Sequence, residues 1–270
     1  MLKYYVADAF ADEAFQGNPA GVCILDEWIP NEKMQKIAME NNLSETGFAV
    51  KVKDDPCTYE LRWFTPVCEI DLCGHCTFGV SYILFRFYEP DVEEIHFEGL
   101  YAGYHLVVGR DGDKIIMDFP VIKPESFACE EYMSDGIGAM PKQAYKTERD
   151  LVLVFDSAET VRNLKPDFLK LNDFPVCLSV FATAESDDPR YDIVARAFWP
   201  KIGINEDPVC GSMYSALTPL WTDLLGKDSI AADNLSKRGG RVYSEIKDGV
   251  VKISGRGALY LEGNILVDED

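Results

Sequence analysis

The chain has 270 residues, 47% of them hydrophobic and 12% aromatic, which is material for ordinary globular cores and length for two domains. Its 46 acidic residues against 26 basic ones give a formal charge of −20, and the Lys and Arg form no basic stripe, so phosphate backbones are repelled and nucleic acid is excluded as a partner. No apolar run approaches the ~20 residues of a membrane helix, which excludes an ordinary helical membrane span.

The opening "MLKYYVADAFADEAF" has no basic segment leading into an apolar one, so no secretory signal is expected and a cytoplasmic protein is. Strand-like runs rich in β-branched and aromatic residues follow: "KYYVADAF" (3–10), "AGVCIL" (20–25), "TGFAVKV" (46–52) and "TYELRWF" (58–64). Between the second and third, a helix is predicted from about Asn31 to Met39, with Met34, Ile37 and Ala38 on one face. The next stretch, "HCTFGVSYILFRF" (75–87), is apolar almost all round. A helix of that composition is buried on every side, and strands on both flanks are the expected wrapper. "EEIHFEGLYAGYHLVVGRDGDKIIMDFP" (93–120) reads as strands turning at Asp111-Gly112.

The pattern then restarts. "DLVLVF" (150–155), "VCLSVFATAE" (176–185) and "YDIVARAFWP" (191–200) read as strands. "GSMYSALTPLWTDLL" (211–225) is a second largely apolar helix, in which Pro219 predicts a kink or an early break. Strands turning at Asp248-Gly249 close the chain. Cys73-Gly74 and Cys210-Gly211 lie 137 positions apart, close to half the length, and each pair opens one of the apolar helices. This is read as a degenerate duplication: two halves, each a curved sheet around one helix.

A helix N-terminus offers unpaired N–H groups and partial positive charge, and a glycine there lets a ligand approach the backbone. Gly74 and Gly211 therefore suggest a cradle for an anion, most simply a carboxylate. The eight cysteines, at 23, 57, 68, 73, 76, 129, 177 and 210, show no framework spacing, so free thiols are expected, most of them small core residues. "CGHC" (73–76) is also the spacing of a disulfide-exchange enzyme, and a thiol-disulfide oxidoreductase through Cys73 and Cys76 stays open. A zinc site from Cys68, Cys73, His75 and Cys76 lacks a second C-x-x-C or a His pair, and no metal is expected. Cys68 and Cys76 are read as buried filler.

Six stretches in order, "FQGNPAGVCIL" (15–25), "MQKIAMENNLSETGFAV" (34–50), "FTPVCEIDLCGHCTFG" (64–79), "MDFP" (117–120), "RAFWPKIGINEDPVCGS" (196–212) and "GRGALYLEGNI" (255–265), resemble the phenazine biosynthesis-like (PhzF-like) family over nearly the whole chain. The resemblance implies an α/β (α+β) fold of two diaminopimelate-epimerase-like domains, each a β-sheet rolled around a central apolar helix, with the active site between them. The domains are expected at 1–118 and 119–258, with a last strand at about 259–270 returning to the first. A homodimer is also implied.

By the same resemblance, the acid/base of cofactor-independent proton transfer on a small carboxylic acid is Glu45, in "NLSET". His75 follows the first Cys-Gly, and Asp207 belongs to "EDPV". Ser44, Gly74, Gly211, Ser212 and Asn18 are expected to line the substrate site. Cys73 and Cys210 stand where the epimerase and racemase relatives keep paired cysteines, so a two-thiol racemase remains an alternative to Glu45. A non-catalytic ligand-binding protein on the same fold is the other.

Overall fold

The first strands are buried along nearly their whole length, the pattern of strands covered on both faces. The computed structural model describes residues 1–55, 57–175 and 177–267; Val176, which opens one predicted strand run, lies outside them. Contacts divide the chain into two compact units, Met1–Asp118 with the segment from Ser254 onward, and Phe119–Ile253.

In the first unit β1 (Leu2–Ala9) pairs antiparallel with β2 (Asn18–Leu25). The chain then crosses through α1 (Asn31–Asn41) to β3 (Thr46–Lys51), parallel to β2. Antiparallel β4 (Thr58–Phe64) and the short β5 (Glu69–Ile70) follow, and then α2 (Gly74–Ile83). Beyond α2, a wider turn over Leu84–Tyr88 leads to β6 (Glu94–Gly99), parallel to β4. β7 (Tyr104–Asp111) and β8 (Lys114–Pro120) continue antiparallel, turning at Gly112 with φ +60°. The chain's last strand pairs with both β1 and β8, so the strands close around α2.

Each helix has the face its sequence predicts. α1 buries Met34, Ile37 and Ala38 against Tyr4, Leu25, Phe48 and Phe64, and ends at Asn42 in the left-handed conformation. α2 packs on β1, β2 and β3 and buries Cys76 through Ser81 without a polar side. Two glycines permit that approach. A Cβ on Gly79 would stand 3.0 Å from the Ala20 Cβ, and one on Gly47 2.7 Å from Val80 Cγ2 and 3.0 Å from the Cys76 sulfur.

The second unit begins with β9 (Glu125–Phe127) and α3 (Glu131–Ile137). Then come β10 (Gln143–Lys146), β11 (Asp150–Val154), α4 (Ala158–Asn163), α5 (Phe168–Asn172), β12 (Ser179–Glu185), β13 (Ile193–Trp199) and β14 (Ile204–Asp207). α6 (Tyr214–Leu225), β15 (Ser229–Asn234), β16 (Arg241–Lys247) and β17 (Val250–Ile265), the last strand of the chain, complete it. From β10 to β16 the pairings run antiparallel, parallel, antiparallel, antiparallel, parallel, antiparallel. The first unit has the same series from β1 to β7. In each unit the apolar helix falls between the fifth and sixth strands of its series, so the duplicated pattern of the sequence is a duplicated topology.

Two expectations need correction. Pro219 does not end its helix, which continues to Leu225. The proline lacks the N–H that would bond the Ser215 carbonyl, and the Ile122 N–H donates to that carbonyl instead at 3.0 Å. Cys68 is not core filler; it is exposed in a turn where Thr65 Oγ1 accepts the amides of Val67 and Cys68. Cys76 is fully buried, and none of the eight cysteines is disulfide-bonded. No helix among the described residues is long and apolar enough to cross a membrane.

Candidate active site

Glu45 is the last residue before β3, and its carbonyl accepts the Gly21 N–H of β2 at 3.0 Å, which fixes the backbone where two strands begin to diverge. His75 is the second residue of α2. Because Gly47 lets the first turns of α2 lie directly on β3, the two side chains meet, although 30 positions separate them in sequence. His75 Nε2 stands 3.1 Å from Glu45 Oε2, with only 10% and 9% of the side chains exposed. The contact has ion-pair distance without hydrogen-bond alignment, so neither atom's hydrogen-bonding capacity is spent on the other. On the other side of the ring, Cys73 Sγ lies 3.5 Å from His75 Nδ1. The imidazole thus bridges a carboxylate and a thiol.

Burial by itself raises the Glu45 carboxyl, but the charge of His75 and contacts from His75 and Cys73 outweigh it and hold the group below the usual carboxylate range. Burial works to lower His75, and its neighbours overcome this and hold it well above the usual imidazole value. Of those neighbours, Cys73 attracts the imidazolium only as a thiolate, and burial pushes the Cys73 thiol well up. At neutral pH the Glu45 carboxylate is therefore the partner that keeps His75 charged. The Glu45 carboxylate and a protonated His75 thus favour one another, beside a Cys73 thiol whose ionisation burial opposes.

Candidate ligand atoms of Glu45, Cys73 and His75 lie within 4.8 Å of one another, a spacing three ligands of one ion could take. Their shortest contacts use opposite ring nitrogens, so the set is arranged as a bridge rather than converging on one point. The disulfide-exchange reading fares poorly on chemistry. An attacking cysteine needs an exposed, acidified thiol, whereas Cys73 is 7% exposed and its thiol is pushed up.

Cys73 adopts extended backbone at the N-cap of α2, which has no side-chain cap. Thr77 donates its hydroxyl back to the Cys73 carbonyl at 2.7 Å and accepts the Trp63 indole N–H at 3.0 Å, which locks the first turn onto β4. Asn18 is buried at the start of β2, opposite Ala9, and Ser44 is exposed beside Glu45.

In the second unit Asp207 ends β14, and Cys210 caps a 3-10 turn, Gly211–Met213, that leads into α6. Cys210 Sγ lies 3.4 Å from Ser212 Oγ, and burial, with Asp207 adding to it, pushes its thiol up. Sequence reasoning passed over Arg149. Its guanidinium stacks 4.9 Å over Trp199, clamps Asp150 through two nitrogens, and donates to Ser212 Oγ at 3.3 Å. Nothing in the sequence marks it, since it is one basic residue ahead of a strand. The matched topologies expose an asymmetry. Leu178 stands before β12 where Glu45 stands before β3, and Ser212 follows Cys210-Gly211 where His75 follows Cys73-Gly74. The thiols are repeated in the two units; the carboxylate–imidazole pair is not.

The relatives of this chain make it an enzyme of the isomerase class, built on the epimerase-like α/β scaffold. The chain belongs to the phenazine biosynthesis-like protein family (PhzC-PhzF), which matches residues 7–263. It is 42% identical over 264 residues to a Pseudomonas aeruginosa protein described as an uncharacterized isomerase, covering 98% of each. A crystal structure of an Enterococcus faecalis PhzF-family protein superposes with a TM-score of 0.93 at 41% identity, over 99% of this chain and 100% of that one. A probable proline racemase from Agrobacterium radiobacter, 11% identical, shares the fold alone, with a TM-score of 0.61 over 99% of this chain and 94% of that one.

Proposed function

We propose that the protein isomerises a small carboxylic acid by cofactor-independent proton transfer, with Glu45 as base and His75 as acid. The observation that carries this reading is the buried contact itself, Glu45 Oε2 3.1 Å from His75 Nε2, in which each group favours the charged form of the other. An isomerisation must remove a proton from one carbon and deliver one to another position. The pair holds both forms at once, the proton acceptor on Glu45 and the donor on His75. Glu45 takes the C–H proton and becomes a neutral acid, while His75 gives its Nε2 proton and becomes a neutral imidazole. Transfer from Glu45 back to His75 across their contact restores the resting state, so no net proton is gained or lost. Because the two atoms are not aligned on each other, each is free to align on substrate.

A two-cysteine racemase has one specific observation behind it, the equivalent N-cap positions of Cys73 and Cys210. Both thiols are pushed up, which leaves neither as a ready base.

The test is deuterium entry from D2O into a panel of 2-hydroxy, 2-amino and unsaturated carboxylic acids, followed by NMR. For an acid that exchanges with the unaltered protein, Glu45→Gln is expected to slow exchange by about 10²–10⁴-fold. Exchange that survives Glu45→Gln and is lost in both Cys73→Ala and Cys210→Ala moves the base to the thiols.

A further inference from the structure

β6 and β7 carry two of the protein's three histidines on one solvent-facing surface. On β6, Ile95 and Phe97 point into the core, so Glu94, His96 and Glu98 share the outer face. In the antiparallel register Glu98 faces His105 and His96 faces Val107, which makes His96 and His105 diagonal neighbours. Their rings meet edge to edge, with His96 Nδ1 and His105 Nε2 3.5 Å apart.

The other nitrogen of each ring is taken. His96 Nε2 lies 2.9 Å from Glu94 Oε1, and His105 Nδ1 lies 3.1 Å from Glu98 Oε1. Glu98 accepts the His105 Nδ1 hydrogen, whereas Glu94 meets His96 Nε2 at ion-pair distance without a hydrogen bond. In a neutral imidazole the opposite nitrogen then holds a lone pair. His105 is thus held in the tautomer that turns its Nε2 lone pair toward His96, whose Nδ1 donates a hydrogen to it in one tautomer and presents a second lone pair in the other, the one that the Glu94 carboxylate favours. In the second arrangement a cation takes both lone pairs in place of the shared hydrogen.

We propose that His96 and His105 form a surface site for a divalent transition-metal ion of the imidazole-binding kind, zinc being the type case. The spacing suits it: nitrogens about 2.0–2.1 Å from a tetrahedral zinc lie roughly 3.3–3.4 Å apart. Metal-bound histidines characteristically donate their second N–H to a carboxylate, which orients the ring and raises its basicity, and Glu94 and Glu98 occupy those positions. With two protein ligands, water fills the remaining positions, and the ion clips β6 to β7 at the surface. Nitrogen ligands exclude magnesium and calcium, which take oxygen. The site is independent of the isomerase reading, and Glu45 and His75 lie elsewhere in the chain.

Cobalt(II), whose visible and near-ultraviolet absorption reports its ligands, is the probe. Titration of the full-length protein is expected to show one saturable site without a thiolate charge-transfer band. Its affinity should fall at least about tenfold in both His96→Gln and His105→Gln and persist in Cys73→Ser. Circular dichroism is expected to be unchanged in the two histidine variants, because the side chains are exposed. Absence of saturable binding to the unaltered protein, survival of binding in either histidine variant, or a thiolate band lost in Cys73→Ser would each overturn the proposal.

Discussion

Glu45→Gln probes the site without any substrate, through stability. At 3.1 Å the two unit charges attract by about 332/(20 × 3.1), or about 5 kcal/mol, at an effective dielectric constant of 20. Desolvation offsets part of this, and removing one partner of a buried pair typically costs ~3–5 kcal/mol. His75 can shed its proton once the carboxylate is gone, which favours the lower figure, about 3 kcal/mol. The cost depends on pH in a definite sense. Glu45, held below its unfolded value, contributes stability present above about pH 4.3 and lost as pH falls through its folded pKa. His75, held above its unfolded value, contributes stability fully present below about pH 6.5 and lost as pH rises through its folded pKa. Both terms are whole between those values. Thermal unfolding at about pH 5.5 is therefore expected to show Glu45→Gln melting roughly 6–12 °C lower, at about 2–4 °C per kcal/mol. The gap should narrow at strongly alkaline pH. Equal melting at pH 5.5, or a gap that widens with alkalinity, would refute the ion-pair account.

Gly47→Ala is expected to destabilise by about 1–3 kcal/mol, because its Cβ would press on Val80 and Cys76. It should also depress deuterium exchange by lifting His75 from Glu45, measurable beside denaturant unfolding. Thr77→Val strands the buried Trp63 N–H and should cost about 1–3 kcal/mol in the same unfolding assay. Arg149→Ala, which leaves the buried Asp150 carboxylate without its guanidinium, should cost about 1–3 kcal/mol in the same unfolding assay.

Much of the scaffold was readable as pattern. The all-apolar run at 75–87 gave α2 its burial on every side, and the repeated Cys-Gly pairs marked two equivalent helix starts. The Glu45–His75 contact was not readable from spacing. It depends on how closely α2 rests on β3, which Gly47 decides, and only the resemblance of "NLSET" and "CGHC" to a known family pointed to it. Cys68 was misread because apolar neighbours suggest burial, whereas the Thr65 turn holds it outside. The early break expected at Pro219 does not occur, and there a distant residue, Ile122, supplies the donor that the proline lacks. Arg149 acts through a stack on Trp199, 50 positions away, a distance over which no local pattern extends.

In the first unit, Ala9 pairs with Gly257 and Leu2 with Ile265. β1 is therefore completed by a strand made 257 − 9 = 248 or more residues later. At roughly 5–20 residues per second, about 12–50 s of translation separate the two. Through that interval β1 holds an unpaired edge, the kind of edge on which stray chains dock. The second unit meets no such delay, because its strands from β9 to β16 are all made before residue 248. Synthesis order thus favours the second unit as the first to settle, with the carboxylate–imidazole unit closing only once β17 is made.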